Sequence, residues 1–270
     1  MVQLFEQDVT TSDRQSSKGN QLKWMNNENW YKADYAGYEG LAEYVVSKLL
    51  ELSTLDKSEY VLYETEEIQY NYQHFMGCKS RNFLPDGWQM ITLERLFQSM
   101  SGQSLNRAIY TIRDYKSRLQ FLVQQTERLT GLKDFGKYMC KLLTIDALFL
   151  NEDRHTHNIA VLMDESKKFH LCPLFDQGAA LLSDTTMDYP LTMDCVQLMK
   201  QVKSKTFCTS FDEQLDIAEV LYGNQIKFHF TGKDVEELLE KEKYYPDAVK
   251  KRVLEVVLEQ KRIYQYLFEK

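Results

Sequence analysis

No run of about 18 apolar residues, the length of a membrane-crossing helix, occurs in this chain. The first residues, Met1-Val2-Gln3-Leu4-Phe5-Glu6-Gln7-Asp8, lack a basic segment followed by an apolar one, so no secretory signal peptide is expected. The five cysteines, Cys78, Cys140, Cys172, Cys195 and Cys208, include no Cys-x-x-Cys pair. An odd count without that spacing argues against a disulfide framework and fits reduced thiols in the cytoplasm. Export by a signal-less route stays open. No zinc-ligand set is visible, and there is no internal repeat or low-complexity segment. Positive charge is the minority sign, with 33 Lys and Arg against 40 Asp and Glu and a formal charge of −7. A nucleic-acid backbone is therefore not expected as the main partner.

What remains is a globular composition. Apolar residues make up 43% and aromatic residues 13% of the 270 positions, enough for one sizeable core or two small lobes. Polar Thr10 to Asn20 reads as a loop. Leu22 to Trp24 and Trp30 to Lys32 read as strands joined by the turn Asn26-Asn27-Glu28-Asn29. Leu41, Val45, Leu49 and Leu52 share one face of a helix over Gly40 to Leu52. Tyr60 to Thr65 and Tyr70 to Met76 read as paired strands. Pro85-Asp86-Gly87 is a turn near a lobe boundary. Beyond it the spacing predicts one or two helices over Leu105 to Leu129 and another over Leu132 to Leu150. A hairpin is expected from Asn158 to Phe175 about Asp164 to Lys168, then a helix from Pro246 to Phe268. Strands first and helices later predict an α+β chain of two lobes, residues 1–90 and 91–270.

The chemistry concentrates in Asn151-Glu152-Asp153-Arg154-His155-Thr156-His157-Asn158, followed by Phe175-Asp176-Gln177-Gly178. Phosphoryl transfer from ATP needs one oxygen to orient or deprotonate the attacking hydroxyl and others to hold Mg2+ at the phosphates. Asp153 and Asn158 stand five residues apart, the Asp-to-Asn interval of the protein-kinase catalytic loop, and Asp176 and Gly178 keep the Asp-x-Gly spacing of its metal loop. Asp153 is the expected base, and Asn158 and Asp176 are hard oxygen donors of the kind Mg2+ prefers. Either fragment alone reads as well as a surface ion pair or a turn.

Upstream, Lys32 ends a strand, and Glu43 follows eleven residues later on a helix, a pairing that can hold the ATP phosphates. Glu39 competes with Glu43 for the partner role. Ser16-Ser17-Lys18-Gly19-Asn20-Gln21 is a candidate phosphate-covering loop, and it is no Walker A motif. His155 and His157 form a His-x-His pair that could serve zinc. The expectation is that His155 braces the catalytic loop beside the nucleotide and that His157 is exposed.

Taken together, these residues resemble the HipA-like serine/threonine kinases of bacteria. That family carries Asn-x-Asp-Arg-His-x-x-Asn and then Phe-Asp-x-Gly, matched by Asn151 to Asn158 and Phe175 to Gly178. Ile145-Asp146-Ala147-Leu148-Phe149-Leu150 resembles the family's lead-in, while Trp30-Tyr31-Lys32 and Ala42-Glu43-Tyr44 resemble its nucleotide lysine and helix glutamate. The resemblance spans about Ser16 to Leu182. It implies a two-lobed kinase-like fold with a small strand-rich N-lobe and a larger helical C-lobe. It also implies ATP, Mg2+ and phosphorylation of serine or threonine on a protein substrate. Asp153 would be the base, Asn158 and Asp176 the metal ligands, and Lys32 the phosphate contact.

Full-length HipA toxins add an N-terminal domain that helps bind an antitoxin. This chain is expected to be a short, stand-alone member, a toxin or an effector, with an antitoxin or regulator as partner. Where family toxins place a regulatory serine before the loop glycine, Lys18 stands here, with Ser16 and Ser17 as substitutes for autophosphorylation. Two other readings are weighed against this one. Phosphatidylinositol kinases also look like Asp-Arg-His-x-x-Asn proteins, but the acidic balance and lack of a lysine-rich run disfavour a membrane-facing enzyme. A silent kinase-fold binding module predicts the loss of Lys32, Asp153, Asn158 or Asp176, and all four are present.

Overall fold

The computed structural model describes residues 1–9 and 21–268. Of the candidate loop, Ser16 to Asn20 lie outside the described residues, and Gln21 donates through Nε2 to the Ala33 carbonyl at 3.0 Å. In chain order the elements are β1 (Val2–Gln3), β2 (Lys23–Asn26), β3 (Asn29–Ala33), α1 (Glu39–Leu50), β4 (Tyr63–Tyr70), β5 (Gln73–Arg81) and β6 (Gln89–Thr92). Then come α2 (Leu93–Ser101), α3 (Leu105–Thr111), α4 (Tyr115–Thr130), α5 (Phe135–Phe149), β7 (Ala160–Met163) and β8 (Phe169–Leu171). The chain closes with α6 (Cys195–Met199), α7 (Phe211–Tyr222), α8 (Gly232–Lys241) and α9 (Asp247–Ile263). No helix among the described residues is long and apolar enough to cross a membrane.

The chain groups into two compact units. The first comprises Met1–Phe83, Phe175–Val202 and Lys227–Lys270, and the second Leu84–Leu174 and Lys203–Ile226. This grouping by contact is not a single cut of the chain, whereas the sequence expectation of 1–90 and 91–270 is.

The first unit holds a five-stranded sheet in the order β1-β4-β5-β3-β2, antiparallel except where β1 joins β4. Two tight turns set its register. Asn27 and Glu28 take φ of 47° and 62°, and Asn71 and Tyr72 repeat those values. Two successive positive φ angles match the right-handed twist of a hairpin. The β4–β5 turn falls later than the sequence suggests. Glu66 to Gln69, left between the two expected strands, belong to β4, and Glu66 accepts the Lys79 ammonium at 2.8 Å.

Alternation sorts the side chains of this sheet. Tyr31 and Ala33 of β3 join Leu4, Trp24 and Ile68 in one buried cluster. Lys32 points to the other face, level with its β5 partner Cys78. Tyr63 and Cys78 share that face in a second cluster, against which Phe83 and Phe175 pack. Helix α1 covers it. Nearly every residue of α1 is buried, Glu43 and Ser47 included. Its first turn lies directly on β5: a Cβ on Gly40 would stand 2.7 Å from the Cα of Gly77. The missing Cβ of Gly40 permits that approach.

The second unit pairs a three-stranded antiparallel sheet, β6-β7-β8, with helices α2 to α5 and α7. Strand β6 is an addition to the expected hairpin. The stretch Leu105 to Leu129 proves to be two helices. The chain breaks at Ile112, and Asp114 restarts it by accepting the Ser117 N–H at 2.7 Å. Helix α5 is apolar and buried almost all round, so the loop that leaves it starts from a fixed point.

Candidate functional site

In the first unit, strand β3, helix α1 and the Phe175 segment converge on one ammonium group. Lys32 Nζ lies 2.5 Å from Glu43 Oε1 and 2.8 Å from Asp176 Oδ1. The Glu43 side chain is 1% exposed and that of Lys32 12%. Burial alone would lower the Lys32 pKa. The carboxylates of Asp176 and Glu43 outweigh it and hold the amine well above its ordinary range. The Tyr63 ring lies 5.2 Å from Nζ. Glu43 also accepts the Gln177 N–H through Oε2 at 2.8 Å, so one carboxylate fixes both the lysine and the backbone after Asp176. Asp176 itself adopts φ +64°, a left-handed conformation unusual for a residue with a side chain.

The rivalry between Glu39 and Glu43 is resolved by geometry. The carboxylate of Glu39 turns back on its own loop and accepts the N–H groups of Ala36 at 2.7 Å and Gly37 at 3.1 Å. Glu43, one helical turn on, faces Lys32.

In the second unit, Asp153, His155 and Asn158 share the loop that follows α5. Leu150 ends the helix at φ +55°. Beneath the loop, Asp146 of α5 is fully buried. Its carboxylate receives Arg154 Nε at 3.1 Å, Arg154 Nη2 at 3.1 Å and Asn151 Nδ2 at 3.0 Å. Burial raises the Asp146 pKa, while Arg154 and these bonds pull it back. The guanidinium then reaches forward, with Nη1 donating to the Asn158 carbonyl at 3.0 Å. Asn158 Nδ2 donates to the Asp153 carbonyl at 3.0 Å, and the Asn158 N–H to that of His155 at 2.8 Å. These bonds close the five-residue interval into one rigid turn.

His155 lies in this loop with Nε2 3.9 Å from Asp153 Oδ1, and His157 is exposed. Among the described residues no three His, Cys, Asp or Glu side chains gather as a metal-binding group. All five cysteines are buried, and no disulfide joins them.

Sequence reasoning missed one support. Glu94, buried in the first turn of α2, accepts Thr156 Oγ1 at 2.8 Å and the Asn106 N–H at 2.9 Å. Only its acidic character near a helix start hinted at it. The structure thus assembles Lys32, Glu43 and Asp176 in one cluster and Asp153, His155 and Asn158 in another.

No protein-family model matches the sequence. No curated protein matches it either. Among solved structures, the crystal structure of a Helicobacter pylori proinflammatory kinase, CtkA, aligns with a TM-score of 0.62. The alignment covers 97% of this chain and 95% of that one at 13% identity. At that identity the likeness speaks for architecture. The protein has an α+β, protein-kinase-like fold.

Proposed function

We propose that this protein is an ATP- and Mg2+-dependent kinase of HipA-like type that phosphorylates serine or threonine on a protein substrate. The observation that carries the reading is the Lys32–Glu43–Asp176 cluster. A strand lysine is buried, kept charged and aimed by a helix carboxylate, in a fold of the kinase type. A positive charge so held is suited to phosphate oxygens. Mg2+ takes hard oxygen ligands and few carboxylates when phosphates complete its shell. Asn158 and Asp176 are each donors of that kind and in this reading would hold the ion. The ion would neutralise charge on the transferring phosphoryl group.

Asp153 then aligns the acceptor hydroxyl and takes its proton as the new bond forms. The buried Asp146–Arg154 pair serves this step by holding the loop backbone, so little rearrangement is required when substrate arrives. The test is transfer from labelled ATP by wild type and Asp153→Asn, with mass spectrometry of the labelled positions. The variant is expected to bind nucleotide and to lose transfer by about 100-fold or more. Transfer at the wild-type rate would remove Asp153 from the mechanism. A parallel arm with phosphatidylinositol vesicles separates a lipid acceptor from a protein one.

A further inference from the structure

Asp34 and Tyr245 stand 211 residues apart in sequence and meet at 2.7 Å, with the Tyr245 hydroxyl donating to Asp34 Oδ2. Asp34 is the first residue beyond β3, two places after Lys32. Its N–H donates to the Met76 carbonyl of β5 at 2.8 Å, which ties it to the sheet. Its other oxygen, Oδ1, accepts the Gly40 N–H of α1 at 2.6 Å. Tyr38, at the N-cap of α1, makes no side-chain cap bond. The start of this helix is therefore held from outside, by a carboxylate on the strand it must stay beside.

Tyr245 is equally fixed. It lies in the turn between α8 and α9 and is buried. Glu242 accepts the N–H groups of Tyr244 at 2.7 Å and Tyr245 at 3.0 Å and pairs with Lys250 at 3.6 Å. One continuous path of bonds thus runs from α9 through Glu242, Tyr245 and Asp34 to the first turn of α1. Glu43 lies one turn further along that helix. The proposed mechanism uses none of these groups, and an ordinary helix cap would not require a tyrosine from so far along the chain.

We infer that Asp34 and Tyr245 are positioning residues that fix the start of α1 and so hold Glu43 against Lys32, which makes the α8–α9 turn a control point on the candidate phosphate site. The phosphate role rests on the reading of Lys32 and Glu43 given above. The bond geometry does not.

Three variants test it. Tyr245→Phe removes one hydroxyl. Asp34→Ala removes both acceptors. Asp34→Asn keeps an acceptor for Gly40 and offers an amide to Tyr245, so it serves as the conservative rescue. Amide exchange over Gly40 to Glu43 is expected to quicken about tenfold in Tyr245→Phe and Asp34→Ala and to stay near wild type in Asp34→Asn. Affinity for ATP with Mg2+ is expected to fall by about fivefold to tenfold in the first two and to stay within about twofold in the third. Should Asp34→Ala fail to fold, Tyr245→Phe carries the test alone. Unchanged α1 exchange and affinity in Tyr245→Phe would overturn the inference, as would an equal loss of affinity in Asp34→Asn. If wild type binds no ATP, the kinase reading fails, while the exchange measurement still decides whether this tie governs α1.

Discussion

Remove the charge of Glu43 and the consequence can be worked from the geometry. Lys32 Nζ has two carboxylate partners, at 2.5 and 2.8 Å. At an effective dielectric of about 20, each contact represents roughly 6 kcal/mol of gross attraction, most of it cancelled by the desolvation of both ions. Breaking a buried pair by deleting one partner typically costs about 3–5 kcal/mol. In Glu43→Gln the lysine keeps Asp176, which lowers that figure. The Gln side chain also retains one oxygen to share between Lys32 and the Gln177 N–H. The expected loss is therefore about 2–3 kcal/mol.

Lys32→Met acts the other way, leaving Glu43 buried without its cation, with an expected loss of about 3–5 kcal/mol. In the double variant both charges are gone, so its loss should fall short of the sum by about 2 kcal/mol. Urea denaturation at pH 7.5, followed by the fluorescence of Trp24 and Trp30 in the same sheet, measures all four corners of the cycle. The pH choice follows from the sign of the shift. The folded pKa of Lys32 is raised, so its contribution is whole below the ordinary value of 10.5 and fades only as pH rises towards the folded value. Single-variant losses that add to the double within about 0.5 kcal/mol would refute the coupling.

Three further outcomes follow, two from groups around α1 and one from the C-cap of α2. Asp34 has its pKa pushed up to about 7 from 3.8, by burial first and the Glu39 charge second, against the pull of Tyr245 and Gly40. Cys78 on β5 also faces it. Between those values the folded chain holds a proton that the unfolded chain has lost, so stability falls as pH rises through the window, by at most about 4 kcal/mol. Urea midpoints from pH 4 to 8 should show this slope in wild type and lose it in Asp34→Asn; equal slopes would exclude Asp34 as its source. Gly77→Ala should cost about 1–3 kcal/mol, because the new methyl would press on the Lys32 carbonyl and stand 3.0 Å from the Ala33 Cα. Gly102→Ala, with nothing within 4 Å but φ at +71°, should lose about 1 kcal/mol for backbone reasons alone. Thermal melts of the two variants compare them directly.

The cluster around Lys32 was legible because its parts have local signatures. A lysine on an alternating strand, a glutamate inside an apolar helix and an Asp-x-Gly after a hairpin each announce themselves within a few residues. The choice between Glu39 and Glu43 was only partly legible, since both lie on the helix and only the loop geometry turns Glu39 away. Strand β6 escaped notice because four residues wedged between a turn and a helix show no period, and the strand exists by pairing with β7. The β4–β5 turn was misplaced for a related reason. The acidic pair Glu66-Glu67 resembles loop, and only cross-strand partners such as Lys79 reveal the run to Gln69 as strand. The crossing of Gly40 over Gly77 and the bond from Tyr245 to Asp34 join distant segments, and no local pattern encodes either.

Backbone strain outside the hairpin turns falls in part on the candidate motifs. Asn27, Glu28, Asn71, Tyr72 and Lys167 take positive φ in hairpin turns, where the turn demands it. Leu150, Asp176, Leu181 and Leu182 take it elsewhere, at φ between 55° and 64°. A left-handed residue with a Cβ costs about 1–2 kcal/mol, and leucine has no polar side chain to offset it. Three of the four are held by specific contacts. Asn151, following Leu150, donates its N–H to the Asp146 carbonyl at 2.9 Å; Asp176 is drawn to Lys32; and the Leu181 carbonyl accepts the Tyr38 hydroxyl at 2.6 Å. Glycine would relieve the strain at any of the four. At 176 it would also remove the carboxylate that Lys32 binds, and at 150 it would loosen the end of the buried helix from which the Asp153 loop departs. On the proposed phosphoryl-transfer reading, strain at these two places would serve to present a charged group at a fixed angle.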